Sequence, residues 1–364
     1  DDLGNRAHWR IRPDRSQPFF SVFNLEVTHE SQIFPSSPAR KGKKLITDPA
    51  EIKVPPYYPD TPLVREELAR MYDNIADMDA QVAEILEQLD EDGLADNTIV
   101  FYWSDHGDGV PRAKRSLYDS GLRVPLMIRI PPQLGKPAAP GTVRNDLVSF
   151  VDLAPTVLAL AGLDVPAHMQ GRVLVGPGAG APPAYVFGAR DRMDAEYDMM
   201  RSARDSRFLY IRNFSPELPY AGHIIYRNQS AIMQEWFRLQ AESALQGPPA
   251  LWMRNSRPAE ELFDVQPDPH QIDNIAGDPA HRVTLEKMRS AVTGWMRTIG
   301  DQGLINEAEM IQRMWPGGLQ PTTPQPYVVP RRTPDVPERR PTIAAPAPME
   351  GVIYVPTQGA SIGY

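Results

Sequence analysis

The stretch LADNTIVFYWSDHG, residues 94–107, indicates the fold class of this chain. Its centre, residues 98–103, is β-branched and aromatic without polar alternation. That pattern is typical of a parallel strand buried on both faces. The run ends at Asp105 and His106 in a glycine-containing turn. Because ligands of open α/β sheets bind beyond the carboxyl ends of the strands, this pair is well placed to bind a metal. A capped loop with a surface imidazole explains a single Asp-His pair equally well.

Elements on both sides of this strand predict an α/β layer fold. Thr61 and Pro62 supply an N-cap and a first-turn proline for a helix. Its apolar residues recur at steps of three and four, namely Leu68, Met71, Ile75, Met78, Val82, Ile85 and Leu89. We predict further buried strands over residues 19–25 and 124–130 and a helix over 152–162. The alternation of strand and helix indicates α/β layers.

Beyond residue 171 the chain changes to short strands and helices separated by proline-rich stretches. The predicted strands are 185–189, 208–211 and 261–265, and the predicted helices are 229–244 and 279–299. We therefore predict three parts, an α/β domain over 1–170, a smaller α+β subdomain over 171–315 and a proline-rich linker with a tail over 316–364.

Composition excludes several kinds of site and partner. The chain has no cysteine, so it can form no disulfide, thiolate metal site or cysteine nucleophile. A net charge of −8 argues against nucleic acid as a partner. No stretch reaches the ~20 apolar residues of a membrane span. Residues 1–4 have neither the basic nor the apolar region of a signal peptide.

Two further side chains are placed to meet an anionic substrate. Lys114 lies on the loop that leads to the strand predicted at 124–130, where a cation could neutralise an anion. His29 follows the strand predicted at 19–25 and so could face the same crevice. Each residue alone is more often an ordinary surface or structural side chain.

An ordered set of motifs favours the functional interpretation of these residues over the structural one. Residues 94–107, the segment KRSLYDSGLRVP at 114–125, residues 152–162 and residues 261–276 resemble, in the same order, signatures of the sulfatase family. The second segment is similar to that family's Lys-Gly-x-x-Tyr-Glu-Gly-Gly-x-Arg-Val-Pro. The resemblance implies part of an alkaline-phosphatase-like α/β sheet domain with a smaller C-terminal α+β subdomain. It also implies a sulfuric ester hydrolase.

The resemblance also implies roles for four residues. Asp105 and His106 match the second pair of metal ligands. Lys114 matches a lysine that binds the sulfate group, and His29, in Val-Thr-His-Glu, matches a histidine that contacts the sulfate or the leaving oxygen. The implied cofactor is a divalent cation, Ca²⁺ by family expectation, with Mn²⁺ compatible with an imidazole ligand. The implied substrate is a sulfated carbohydrate, and the implied setting is a bacterial periplasm or the outside of the cell.

The formylglycine nucleophile of the family is expected only in a segment upstream of Asp1. We therefore expect the chain to be a C-terminal portion that is inactive alone. No apolar strand precedes the acidic pair Asp1–Asp2, so we do not count it as the first metal pair. Ser36 begins a formal match to Ser-x-Pro-x-Arg that ends at Arg40. The match follows His29 and lacks a helix to bind an anion, so we do not assign it.

Alternative interpretations remain at this stage. A phosphonate or phosphate ester hydrolase of the same superfamily shares the Asp-His pair. A third interpretation is a non-catalytic fragment or pseudoenzyme that binds an anionic glycan. The missing nucleophile distinguishes it from an enzyme. The tail at 350–364 resembles the opening strands of a small β-sandwich module, and a disordered tail explains it equally well. Four residues could line a substrate pocket but carry no assignment: His168, Arg190, Arg201 and His223.

Overall fold

The computed structural model describes residues 8–12, 14–135, 139–193, 196–319, 322, 327–330 and 351–354. The chain divides into two compact units, Asp1–Asp301 and Gln302–Tyr364. The helices are α1 Pro62–Glu91, α2 Asp119–Leu122, α3 Leu153–Leu160, α4 Ala231–Ala241, α5 Pro248–Trp252, α6 Arg282–Ile299 and α7 Glu307–Met314. The strands are β1 Val100–Trp103, β2 Leu126–Arg129, β3 Val186–Arg190, β4 Met200–Arg204, β5 Phe208–Asn213, β6 Glu260–Asp264, β7 Tyr327–Pro330 and β8 Gly351–Tyr354.

Helix α1 confirms the helix predicted from periodicity. The Thr61 hydroxyl accepts a hydrogen bond from the backbone N–H of Val64 at 3.3 Å, so the predicted N-cap forms. Leu68 and Met71 are buried in the core of the first unit, whereas Ile75 is exposed. The amino-terminal half of α1 is therefore the part that faces the core, where it packs against α4.

Strand β1 forms where the opening motif predicted a strand, but its environment differs from the prediction. It pairs antiparallel with β2, with Val100 opposite Arg129 and Trp103 opposite Leu126. The predicted parallel, doubly buried strand is therefore wrong for the described residues. The reason is that β1 has a neighbour on only one edge within that part of the chain, so Trp103 stays exposed.

The strand predicted over residues 19–25 does not form a ladder in the described part of the chain. The segment is extended and alternates between partly buried and exposed side chains. Phe19 and Phe23 lie 5.8 and 5.7 Å from the ring of Trp9, whereas Phe20 is exposed. One face of this segment packs while the other does not, a distinction that a purely apolar run cannot reveal.

A four-stranded antiparallel sheet, β3-β4-β5-β6, forms the centre of the C-terminal part of the first unit. Helix α6 covers one face of it, where Met288 packs with the buried Tyr210 and Leu262. The strands and helices predicted for this region are confirmed; the two helices are shorter than predicted, and β5 is two residues longer than the strand predicted at 208–211. Strand β4 was not predicted, because the sequence MRSAR at 200–204 is polar in appearance. Its buried Arg201 is held by ion pairs to Asp191 at 2.7 Å and Asp301 at 2.6 Å.

The second unit contains α7 and the antiparallel pair β7–β8, in which Tyr327 lies opposite Tyr354. Residues 355–364 of the predicted β-sandwich opening, and the pair Asp1–Asp2, lie outside the described residues. In the described part of the chain we find no helix with the length and apolar character that crossing a membrane requires. The domain boundaries predicted at residues 170 and 315 stay predictions.

Candidate active site

His29 and Lys114 lie together although 85 positions separate them in the sequence. Nε2 of His29 is 3.4 Å from Nζ of Lys114. An ammonium group only donates hydrogen bonds, so Nε2 is the acceptor in this contact. On the other side of the ring, Nδ1 accepts from the backbone N–H of Ser31 at 3.4 Å and lies 2.8 Å from the Ser31 hydroxyl oxygen. The imidazole therefore has a defined orientation beside a cation.

The carboxylate of Glu30 organises the cations of this site. Its side chain is 2% exposed and accepts from Nζ of Lys114 at 2.7 Å. Arg115 donates to both carboxylate oxygens at 3.0 Å. Burial alone raises the pKa of Glu30, but the hydrogen bonds from Arg115 and Lys114 outweigh it and hold the pKa below its usual value. Lys114 and Arg115 thus share one ionised carboxylate, which fixes the position of the Lys114 ammonium.

The loop after β1 is folded tightly against Glu30. The backbone N–H of Lys114 donates to the carbonyl oxygen of Asp108 at 3.1 Å. A Cβ atom at Gly107 would lie 1.8 Å from the carbonyl oxygen of Ser120, and one at Gly109 would lie 2.9 Å from Cα of Glu30. Only glycine allows such close backbone approach, which explains Gly107 at the end of the opening motif and Gly109 just after it. The loop that carries Asp105 and His106 therefore also places Lys114.

Asp105 and His106 form the second feature of this loop. Oδ2 of Asp105 lies 3.7 Å from Nε2 of His106, and the Asp105 side chain is 84% exposed. Nδ1 of His106 lies 2.6 Å from the carbonyl oxygen of Gly107, to which it donates. In the neutral ring Nε2 then carries no proton, and it is the ring nitrogen near the Asp105 carboxylate.

These two atoms fit a divalent cation. Metal–ligand distances of about 2.0–2.6 Å allow two ligand atoms 3.7 Å apart to bind one ion. The pair supplies only two ligands, since no group of three His, Cys, Asp or Glu side chains in the described residues could hold a metal. On the same loop the pKa of Asp108 is raised, because the loss of solvation outweighs the opposing effect of His106.

The C-terminal sheet braces the same loop. The Tyr118 hydroxyl donates to the buried carboxylate of Glu261 on β6 at 3.0 Å. The Arg112 guanidinium lies 4.1 Å from the ring centres of both Tyr57 and Tyr118. It also donates to the carbonyl oxygen of Gln271 at 2.6 Å. Cation–π contacts and a buried hydrogen bond therefore fix the loop that presents Lys114.

Sequence reasoning missed Glu30 and Arg112 as parts of the site. The signal for Glu30 was its place directly after His29 in Val-Thr-His-Glu, although no pattern indicates that such a carboxylate is buried. Among the unassigned residues, Arg201 is buried and fully engaged in its ion pairs. Arg40, which ends the short motif at Ser36, donates to Glu67 at 2.8 Å, so its guanidinium is committed to an ion pair.

Comparisons with known proteins indicate the same family as the ordered motifs. Residues 2–163 match the family model described as Sulfatase. An ulvan-active sulfatase from Formosa agariphila is 38% identical over 360 residues, which cover 90% of this chain and 60% of that protein. The chain belongs to the sulfatase family. Another relative in that family, the human N-sulphoglucosamine sulphohydrolase, is 29% identical over 68% of this chain and 51% of its own length.

A solved structure supports the same fold for this sulfatase-family chain. The crystal structure of a Bacteroides fragilis protein described as a sulfatase matches with a TM-score of 0.56 and 21% identity. The match covers 82% of this chain and 58% of that protein. The alkaline-phosphatase-like α/β fold is thereby confirmed. The chain spans about half to three fifths of the length of the curated relatives named above.

Proposed function

We propose that this chain supplies anion- and cation-binding groups to a sulfuric ester hydrolase that acts on a sulfated carbohydrate. The observation that carries the proposal is the 3.4 Å contact between His29 and Lys114. Glu30 supports it, because that buried carboxylate holds the Lys114 ammonium beside His29. One relative is named for N-sulphoglucosamine, a sulfated sugar, which supports the substrate class. Such an enzyme would act in the periplasm or outside the cell.

In this proposal Lys114 binds a sulfate oxygen and His29 faces the bridging oxygen. Cleavage of a sulfate monoester places negative charge on the bridging oxygen as the S–O bond breaks. A nearby ammonium and a donating imidazole stabilise that charge, provided they are already in place. Glu30 keeps Lys114 in place through its 2.7 Å ion pair. Nε2 of His29 can donate to the bridging oxygen only when it carries a proton.

Asp105 and His106 would hold the divalent cation in this proposal. The cation, Ca²⁺ or Mn²⁺, would stabilise charge on the sulfate oxygens. The carboxylate suits either ion, whereas the Nε2 donor of His106 favours Mn²⁺. We assign the nucleophile to no residue of this chain.

The test is sulfate ester hydrolysis by the longer protein that carries this chain. Lys114→Ala should lower kcat/KM for a chromogenic aryl sulfate by at least about 100-fold, the scale of losing one stabilising group. Lys53→Ala, an exposed lysine elsewhere, should leave the rate unchanged. Full activity in the Lys114 variant would refute its role. Faster cleavage of a phosphonate ester than of the sulfate ester would favour the alternative hydrolase.

Cation binding is tested separately. Mn²⁺ titration monitored by electron paramagnetic resonance should show tighter binding to the wild-type chain than to His106→Ala or Asp105→Asn. His168→Ala, which removes an exposed histidine from another segment, is the matched control. Equal Mn²⁺ affinity in all four proteins would remove Asp105 and His106 from the proposal.

A further inference from the structure

An accessible aromatic ring borders the pair formed by His29 and Lys114. The ring centre of Tyr226 lies 6.3 Å from that of His29, with 49° between the ring planes. On another side Tyr226 meets the buried ring of Phe34 edge to face, at 5.2 Å. Tyr226 is nevertheless 38% exposed. One side of its ring is therefore supported by the protein, and part of it remains open beside the anion site.

The segment that carries Tyr226 is well anchored. Ile224, two residues earlier, is 1% exposed, and the backbone N–H of Asn228 donates to its carbonyl oxygen at 2.9 Å. The buried guanidinium of Arg227 donates to the carbonyl oxygen of Gly222 at 2.5 Å. Tyr226 itself directly precedes a short 3-10 turn over Arg227–Gln229. An aromatic side chain on such a fixed segment loses little conformational entropy when a ligand binds.

Polar groups lie on the same segment. His223 is exposed, and its Nδ1 lies 3.5 Å from the side-chain nitrogen of Asn228. The backbone N–H of His223 donates to Glu196 at 2.8 Å. A supported aromatic ring on a segment that also carries polar groups is typical of a site for a ligand with both apolar and hydroxyl surfaces.

We propose that Tyr226 determines specificity for the leaving group by stacking on the apolar C–H face of a pyranose. The inference rests on the proposed function, because His29 and Lys114 must hold the sulfate. A sugar joined to that sulfate through one bridging oxygen would lie next to the His29 ring. The centre of the Tyr226 ring is 6.3 Å from that of His29, so the Tyr226 ring is placed to contact such a sugar. Inorganic sulfate has no such apolar surface, so its affinity should not depend on Tyr226.

The experiment compares inorganic sulfate with sulfated monosaccharides, using isothermal titration calorimetry on the full chain. The monosaccharides are two sulfate esters, glucosamine 6-sulfate and galactose 6-sulfate. Tyr226→Ala should lower the affinity for the tightest-binding sugar about 5-fold, the scale of one aromatic contact. The affinity for inorganic sulfate should stay unchanged. Tyr226→Phe should retain affinity within about 2-fold, since the ring rather than the hydroxyl makes the contact. Tyr72→Ala, at another tyrosine that is 52% exposed, is the matched control.

The outcomes separate this inference from the function on which it rests. If Tyr226→Ala lowers the affinities for sulfate and for the sugar equally, Tyr226 only supports His29, and the inference is overturned. So would a set of sugars that bind no tighter than sulfate, or a Tyr226→Ala protein that binds them normally. Failure of the wild-type chain to bind sulfate, or unchanged binding in Lys114→Ala, would instead overturn the proposed function and the inference with it. Thermal unfolding of each variant confirms that it is folded.

Discussion

Replacement of Glu30 by glutamine tests how the site is held together. The buried carboxylate accepts from Lys114 at 2.7 Å and from Arg115 at 3.0 Å through both oxygens. Glutamine keeps the size and one acceptor oxygen but removes the negative charge. It also directs an amide N–H₂ group toward cationic donors. The substitution therefore leaves two cations without their shared counter-charge.

The expected cost follows from the burial of these groups. Removal of one partner from a buried ion pair costs about 3–5 kcal/mol, because the remaining charge is left uncompensated. The Glu30 side chain is 2% exposed, Arg115 6% and Lys114 13%, so solvent screens the cluster only weakly. The acceptor oxygen that glutamine retains offsets part of the loss. We therefore expect Glu30→Gln to lower the free energy of unfolding by about 3 kcal/mol at neutral pH.

The effect should depend on pH with a defined sign. The hydrogen bonds to Arg115 and Lys114 hold the pKa of Glu30 in the folded protein below 4.5, the ordinary value. A lowered pKa contributes stability that is fully present above the unfolded-state pKa and is lost as pH falls through the folded-state pKa. The free energy of unfolding of the wild type should thus exceed that of Glu30→Gln by a constant amount above about pH 5. This difference should become smaller under more acidic conditions.

Urea unfolding followed by tryptophan fluorescence measures both effects. The titrations are run at pH 7 and at the lowest pH at which the wild type remains folded. Glu26→Gln, at an exposed glutamate four residues earlier, is the matched control and should unfold like the wild type. A Glu30→Gln protein as stable as the wild type at pH 7 would refute the structural role of Glu30. A loss of unfolding free energy that is equally large at low pH would refute the electrostatic origin of the effect.

Three further stability predictions use the same urea titrations. Gly294→Ala should raise the free energy of unfolding by about 0.5–1 kcal/mol, because this position inside α6 has open space for a methyl group; destabilisation would contradict this. Gly107→Ala should lower it by about 1–3 kcal/mol, because the new Cβ would lie 1.8 Å from the Ser120 carbonyl oxygen; a neutral effect would disprove the tight loop. Tyr118→Phe should cost about 1–3 kcal/mol, because buried Glu261 loses a donor; unchanged stability would show that this bond is dispensable.

Periodicity predicted the long helices because it depends on local spacing alone. The steps of three and four along residues 62–91 require no knowledge of neighbouring elements, and α1 forms over that range. Strand environments could not be predicted in the same way. The run at 98–103 is apolar whether one or two strands flank it, so the antiparallel pairing of β1 with β2, itself a predicted strand, was not foreseen. Strand β4 was missed because Arg201 is buried only through distant partners at Asp191 and Asp301.

The site was predictable to a similar extent. The place of His29 and Lys114 after predicted strands, together with motif order, indicated that they would meet, and they lie 3.4 Å apart. The ion pairs of Glu30 and the contact between Tyr226 and His29 were not predictable. Both join residues on separate segments whose approach depends on the packing of loops, and loops carry little periodic signal.

The most direct test of the central claim is a double-mutant cycle on inorganic sulfate binding to the full chain. Calorimetry on the wild type, His29→Ala, Lys114→Ala and the double variant gives the coupling free energy between these side chains. We expect each single variant to bind sulfate at least about 10-fold more weakly, with a coupling of about 0.5–3 kcal/mol because the two groups touch. Sulfate affinity that is unaffected by either substitution, or two effects that simply add, would contradict a shared anion site.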